Sequence, residues 1–482
     1  MMIAGRYLLC AMALSAVAVS QNAPAADGQD ALSPSYVREV LPILRANCYG
    51  CHQPAKAKGG IVVTDHAALL EPNEDELVLV VPGDPDASLL LEVVTPGDGE
   101  PPAMPPKGAP LDAEEVDVLR RWIAAGAVAD GGSSAVWATP EKPPVYRRPA
   151  VVTAVDYSPD GALLAVSGQH EILLHRADGS ELVARLIGMS QRIESLAFSP
   201  DGKRLAVVGG SPGLFGEVQI WDVADRRLEL SKLVTDDCLF GVSWSHDSKL
   251  VAFGCTDSTM RVIEADTGEQ VLFQGAHDDW VLDTVFSTDA SHLVTVSRDM
   301  SMKLVLVPEQ QFIDNITSIT PGVLRGGLMA VDRHPHKDEL LIGGADGEPK
   351  LFRMYREKKR VIGDDYNRIR AFESLPGRIF AARFGGDGER IVVGSSDRGR
   401  GFVRSYVTGD GKTLWTREFD GGIYSVAFRP DGAVVAAAGF DGALHLLDAE
   451  TGESVHEFVA VPVEPSAAVD ASVSDEQEER GR

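Results

Sequence analysis

The densest chemistry in this 482-residue chain lies at Cys48-Tyr49-Gly50-Cys51-His52. Two thiols three positions apart, followed at once by an imidazole, form the C-x-x-C-H pattern, in which the thiols add to porphyrin vinyl groups and the imidazole becomes an axial iron ligand. Two plainer readings compete. A thioredoxin-like redox pair needs a βαβ surrounding, and half of a zinc site needs two further ligands. No other cysteine lies between residues 52 and 237 and the only other histidine of residues 33–130 is His66, so a zinc set is hard to complete. Covalent attachment of one haem c, with its iron, is the expectation that spacing and order support.

A sixth iron ligand is expected from the same stretch. Met104 is the only methionine between positions 13 and 188, in Pro101-Pro102-Ala103-Met104-Pro105-Pro106. Prolines on both sides stiffen the backbone, so a thioether there is held with little entropy to lose. A methionine filling a gap in the core is the bland alternative, and His66 or an open sixth position are the competitors.

The elements that must position these residues are helices. Ser33-Pro34 before Tyr36, Val37, Val40, Leu41, Ile43 and Leu44 predicts an N-cap, a proline at the first helical position and an apolar stripe leading to Cys48. Leu111-Asp112 predicts a second helix, with Glu114 and Glu115 in its first turn, an apolar face of Val116, Leu119, Trp122 and Ile123, and an end near Gly126.

Residues 33–130 resemble the planctomycete-type cytochrome c domain. The resemblance rests on Leu41-Pro42-Ile43-Leu44, the C-x-x-C-H motif, Lys58-Gly59-Gly60, Val81-Pro82-Gly83-Asp84-Pro85 with Ser88-Leu89, Met104-Pro105-Pro106, and Trp122-Ile123 with Gly126-Ala127. It implies a small all-α, class I-like cytochrome c fold in which Cys48 and Cys51 hold the haem and His52 and Met104 bind the iron.

Beyond residue 150 a second pattern begins. Short alternating apolar runs flank turns such as Ser158-Pro159-Asp160-Gly161 and Ser199-Pro200-Asp201-Gly202, where proline pre-sets φ and glycine accepts positive φ. Aligned on residues 159, 200, 246, 288, 335, 386 and 430, seven copies are separated by 41, 46, 42, 47, 51 and 44 residues. This period suits four strands per copy, as in a propeller blade. Val218-Gln219-Ile220-Trp221-Asp222 resembles the WD-repeat signature, and His277, Ser297 and Asp299 are candidates for the hydrogen-bonded network of such blades. The resemblance implies an all-β, seven-bladed WD-repeat β-propeller over residues 150–462. Cys238 and Cys255 flank one hairpin and fit either a disulfide or two buried thiols.

Residues 1–26 read as an export signal, with Arg6, an apolar run from Tyr7 to Val19 and small residues at Ala23-Pro24-Ala25. The run is too short for a spanning helix, and no later segment is apolar enough to cross a bilayer. An exported, periplasmic or extracytoplasmic protein follows, without a transmembrane segment in the mature chain. Residues 131–149 read as a Gly/Ser- and Pro-rich linker, and 463–482 as a disordered acidic tail. The 71 acidic against 45 basic residues, net −26, argue against nucleic acid as a partner.

The function expected is electron transfer rather than enzymatic catalysis. The haem exchanges electrons with a redox partner protein, and the propeller serves as a docking or scaffolding platform for a protein complex. The alternatives are a multidomain redox enzyme with a catalytic site on the propeller fed by the cytochrome, and a WD-repeat scaffold with a structural or sensory haem. Charge predicts how the domains meet. Residues 27–131 hold 18 acidic and 7 basic residues, whereas Arg353 to Arg390 holds 10 basic and 6 acidic, so this basic edge is expected to receive the acidic domain or an acidic partner.

Overall fold

The computed structural model describes residues 34–464, apart from 74–75, 98, 107–108, 130–137, 319–324, 362 and 364. The export signal, the Gly131–Ser134 stretch and the acidic tail after Glu464 lie outside the described residues.

The first part of the chain is helical. A turn at Tyr36–Val40 runs into α1 (Leu41–Asn47), followed by α2 (His66–Leu70), α3 (Leu89–Val94) and α4 (Ala113–Ala124). The first helical turn starts two residues later than the sequence predicts. Ser35, not Ser33, is the cap: its Oγ accepts the Arg38 N–H at 3.1 Å, while Glu39 accepts the Ser35 N–H at 2.7 Å. Helix α4 begins as expected, because Asp112 and Glu115 form a reciprocal capping box. Its apolar face buries Leu119, Trp122 and Ile123 against Tyr36, Val40 and Leu44.

Beyond it the chain is mostly β. Among the described residues, 27 strands form one seven-stranded sheet and five four-stranded sheets, all antiparallel and in sequence order within each sheet. The seven-stranded sheet is two units sharing one long strand, Leu182–Phe198, which ends the first unit and opens the second. The hairpin turns follow from sequence. In Ser158-Pro159-Asp160-Gly161 the Ser158 hydroxyl donates to Asp160 at 2.5 Å, the Gly161 N–H returns to the Ser158 carbonyl at 2.8 Å, and Gly161 sits at φ 70°.

The first strands of successive units lie side by side, and that of the last unit, Ile423–Phe428, lies against that of the first, Val155–Tyr157. The Val152 N–H donates to the Gly439 carbonyl at 2.9 Å across this junction. Six of these strands break register near their start, at Glu194, Gly241-Val242, Leu282, Met329, Phe380 and Tyr424, a bulge that re-aims the side chain it carries. Deeper between the strands, Asp156, Asp283 and Asp332 surround Arg383. Each carboxylate accepts a backbone N–H from a neighbouring unit, from Phe198, Val331 and Phe384.

The described half of the segment read as a linker is fastened down. Tyr146 makes a parallel bridge with Val463, its hydroxyl bonds Glu171 at 2.7 Å, and Arg185 donates to both oxygens of Glu171 and to the Pro144 carbonyl. Cys238 and Cys255 are buried free thiols, both pushed up to about 12 by burial.

The basic edge does not receive the helical domain. Arg356 and Arg360 pair with Asp314 of the preceding unit at 3.4 and 2.7 Å, Arg368 pairs with Asp365 at 3.2 Å, and Arg383 is drawn in among the central aspartates. These local carboxylates engage four of the ten basic side chains of the edge. The helical domain packs instead on the second unit, through an apolar cluster that joins its core to Met189, Phe215 and Leu233.

Candidate functional site

Helix α1 delivers the chain to the Cys48–His52 turn. The Cys48 N–H closes the helix on the Leu44 carbonyl at 2.8 Å, and the amides of Cys51 and His52 both return to the Cys48 carbonyl, at 3.1 and 3.0 Å. The outgoing chain is tied back by Lys58 N–H to the Cys51 carbonyl and Val63 N–H to the His52 carbonyl, at 3.1 and 2.9 Å. Both thiols and the imidazole therefore sit half-buried on one tight turn. Cys48 and Cys51 are free thiols. Burial, with the neighbouring Cys51, pushes Cys48 up to about 12.

Burial lowers the His52 pKa below its ordinary value, against the opposing effect of the Ile61 and Lys58 backbones. The ring is thus held in the neutral form that a metal ligand requires. Its Nδ1 is buried without a hydrogen-bond partner. Two free thiols beside a neutral imidazole with an orphaned nitrogen fit the donor set of a haem c.

Met104 is half-buried, its N–H donates to the Val93 carbonyl at 2.8 Å, and its side chain packs on the same apolar cluster as Cys48. The structure thereby brings the candidate thiol and thioether to one core. His66 is engaged elsewhere: one ring nitrogen lies 2.8 Å from the Ala127 carbonyl, and the ring stands edge-on to Tyr36 and Trp122 at 4.9 and 6.0 Å.

Sequence reasoning missed the residues that seat this turn on the β domain. A Cβ on Gly50 would fall 2.5 Å from the Ser231 carbonyl oxygen, so only glycine permits this approach. Lys56 donates to the Glu229 carbonyl. Gln53, fully buried, donates to the Tyr49 carbonyl at 3.1 Å and reaches the buried carboxylate of Glu217. Only the glycine between the cysteines offered a signal, since its partners lie about 180 residues away in sequence.

In the fourth unit the His277 ring bonds Asp299 and Thr295, both at 2.8 Å, with Ser301 at 3.1 Å. Ser297 joins this network through Asp299, whose N–H it accepts, and donates to the Asp279 carbonyl, while Ser301 lies against the imidazole itself.

Known proteins agree with this division. Residues 48–108 match the family described as planctomycete cytochrome C, residues 268–305 the WD domain, G-beta repeat, and residues 407–467 the anaphase-promoting complex subunit 4 WD40 domain. The chain is 25% identical over 239 residues to eukaryotic translation initiation factor 3 subunit I of Aspergillus oryzae, covering 47% of this chain and 69% of that protein. It is 27% identical over 241 residues to the same subunit of Coccidioides immitis, covering 47% and 68%. The WD40 matches fit a β-propeller for the stacked sheets. The chain therefore carries a planctomycete cytochrome C domain together with WD40 repeats.

Proposed function

We propose that this protein is an exported c-type cytochrome that transfers electrons through one covalently bound haem, with its repeats closed into a seven-bladed propeller that serves as a docking platform. The observation that carries the reading is the Cys48–His52 turn: two free thiols and a neutral imidazole at the end of α1, inside the stretch that matches planctomycete cytochrome C. Cys48 and Cys51 would hold the porphyrin, and His52 and Met104 would bind the iron. When bound, the haem supplies a one-electron couple between ferric and ferrous iron.

The chain's own residues supply position and environment. α1 and the returning amides fix the thiols, the Val93 carbonyl anchors the Met104 backbone, and Tyr36, Leu44, Leu91 and Trp122 build the apolar wall that excludes water. The Met104 thioether and the His52 imidazole would together hold the iron, and such a ligand pair would suit outer-sphere transfer to a protein partner. Export to an extracytoplasmic compartment rests on the first 26 residues and suits covalent haem attachment.

Mass spectrometry of the mature, full-length protein tests this reading. The expected mass is that of the chain lacking its signal plus one haem, and Cys48→Ala with Cys51→Ala removes the haem increment. A covalent haem persisting in that double variant would overturn the assignment.

A further inference from the structure

The turn that carries the candidate haem ligands is built onto a buried carboxylate of the other domain. Glu217, on strand Phe215–Asp222, has no solvent exposure. Its carboxylate accepts from Ser190 Oγ at 2.6 Å, from Gln219 Nε2 at 2.7 Å and from Ser231 Oγ. The Gln53 side chain reaches it from the helical domain.

The orientation of the two amides shows that these groups are donors. Trp221 Nε1, which can only donate, bonds Gln219 Oε1 at 2.9 Å, so the Gln219 amine must face Glu217. Gln53 Nε2 faces the Tyr49 carbonyl, which can only accept, and so presents its amine as well. Three donors converge on one carboxyl group with the Gln53 amide beside them, while burial pushes its pKa above the ordinary value. Lys56 nearby is spent on the Glu229 carbonyl. A buried carboxyl is held in place by such hydrogen bonds, and Gln53, through which it meets the other domain, directly follows His52.

We propose that Glu217 is a positioning residue for the haem: it fixes the Cys48–His52 turn through Gln53 and through Ser231, whose carbonyl lies against Gly50. The inference rests on the reading that this turn holds a haem. Metal-ligating histidines are oriented by such outer partners, and hydrogen bonding around the site tunes a haem potential. In this molecule those partners come from the propeller, so the second unit forms part of the redox centre.

The test is the midpoint potential of the full-length holoprotein in wild type, Glu217→Gln and Glu229→Gln. Mass spectrometry of each variant comes first, since absence of covalent haem from the wild type would overturn the haem reading itself. With haem present, Glu217→Gln should shift the potential by disturbing the hydrogen bonds that seat the turn, changing the ferric-to-ferrous ratio at fixed applied potential by about threefold to tenfold, tenfold being about 59 mV for one electron. Glu229→Gln controls for charge in general, because that side chain is partly exposed beside Arg227 and only its backbone meets Lys56, and should leave the potential unchanged. If Glu217→Gln does not accumulate, Gln53→Ala, which cuts the link from the loop side, should shift the potential of the haem-bound protein. An unchanged potential in whichever of these two variants accumulates overturns the assignment, as does an equal shift in Glu229→Gln.

Discussion

At the residue scale, Met104 and His66 are the two candidates for a second iron ligand under the proposed haem reading, and their surroundings separate them. His66 is locked into the core by the Ala127 carbonyl and two aromatic rings, whereas the Met104 backbone bonds the Val93 carbonyl and its thioether lies in apolar packing with Cys48. The two should therefore respond differently to truncation. Met104→Ala should abolish the weak sulfur-to-iron charge-transfer band at the red edge of the ferric spectrum and lower the potential, since loss of the thioether favours the ferric state. His66→Ala should leave that band in place and cost about 1–2 kcal/mol in denaturant unfolding, from one hydrogen bond and two edge-on ring contacts. The opposite pattern would make His66 the ligand.

At the element scale, the repeats are held by buried polar networks as well as by their strands. The His277 side chain is fully buried and the Asp299 side chain is 8% exposed. Burial alone would raise the Asp299 pKa, but His277, Ser301 and the Asp278 N–H together hold it below the usual carboxylate range. The folded state thus binds fewer protons at Asp299 than the unfolded chain does. This stabilisation is complete above the unfolded pKa of about 4 and is lost as pH falls below it. His277→Ala should cost about 2 kcal/mol at pH 7, the scale of a buried hydrogen bond to a charged group. Urea titrations between pH 7 and 3 should show the difference between variant and wild type shrinking as Asp299 protonates, and a constant difference would contradict this account. The shared strand Leu182–Phe198 makes a related point about length. Seventeen residues are two strands' worth, and without a glycine-proline break the chain passes from the edge of one unit to the centre of the next without leaving the sheet.

At the scale of the whole molecule, the domains meet through apolar packing and a glycine-permitted approach, and opposite charge plays little part. Raising salt from roughly 0.1 to 1 M shortens the Debye length from about 10 to about 3 Å and would open an interface held by exposed charges. Small-angle scattering of the intact protein should instead give the same compact profile across that range, and an expansion with salt would restore charge as the holding force. What the sequence determined by itself is what is local: the C-x-x-C-H turn, the Asp112 cap of α4, the Ser-Pro-Asp-Gly hairpins and the period near 45 residues, since each needs only neighbours within a few positions. The tertiary structure alone decided the rest. It brought Gly50 against Ser231, Gln53 to Glu217 and Tyr49 into one core with Phe215, pairs separated by some 160 to 180 residues. It also paired Arg356 and Arg360 of the basic edge with Asp314, a partner that net charge along the chain does not reveal. Composition reports how much charge a segment carries, but whether that charge faces a partner or is satisfied at home depends on which strands the fold sets side by side.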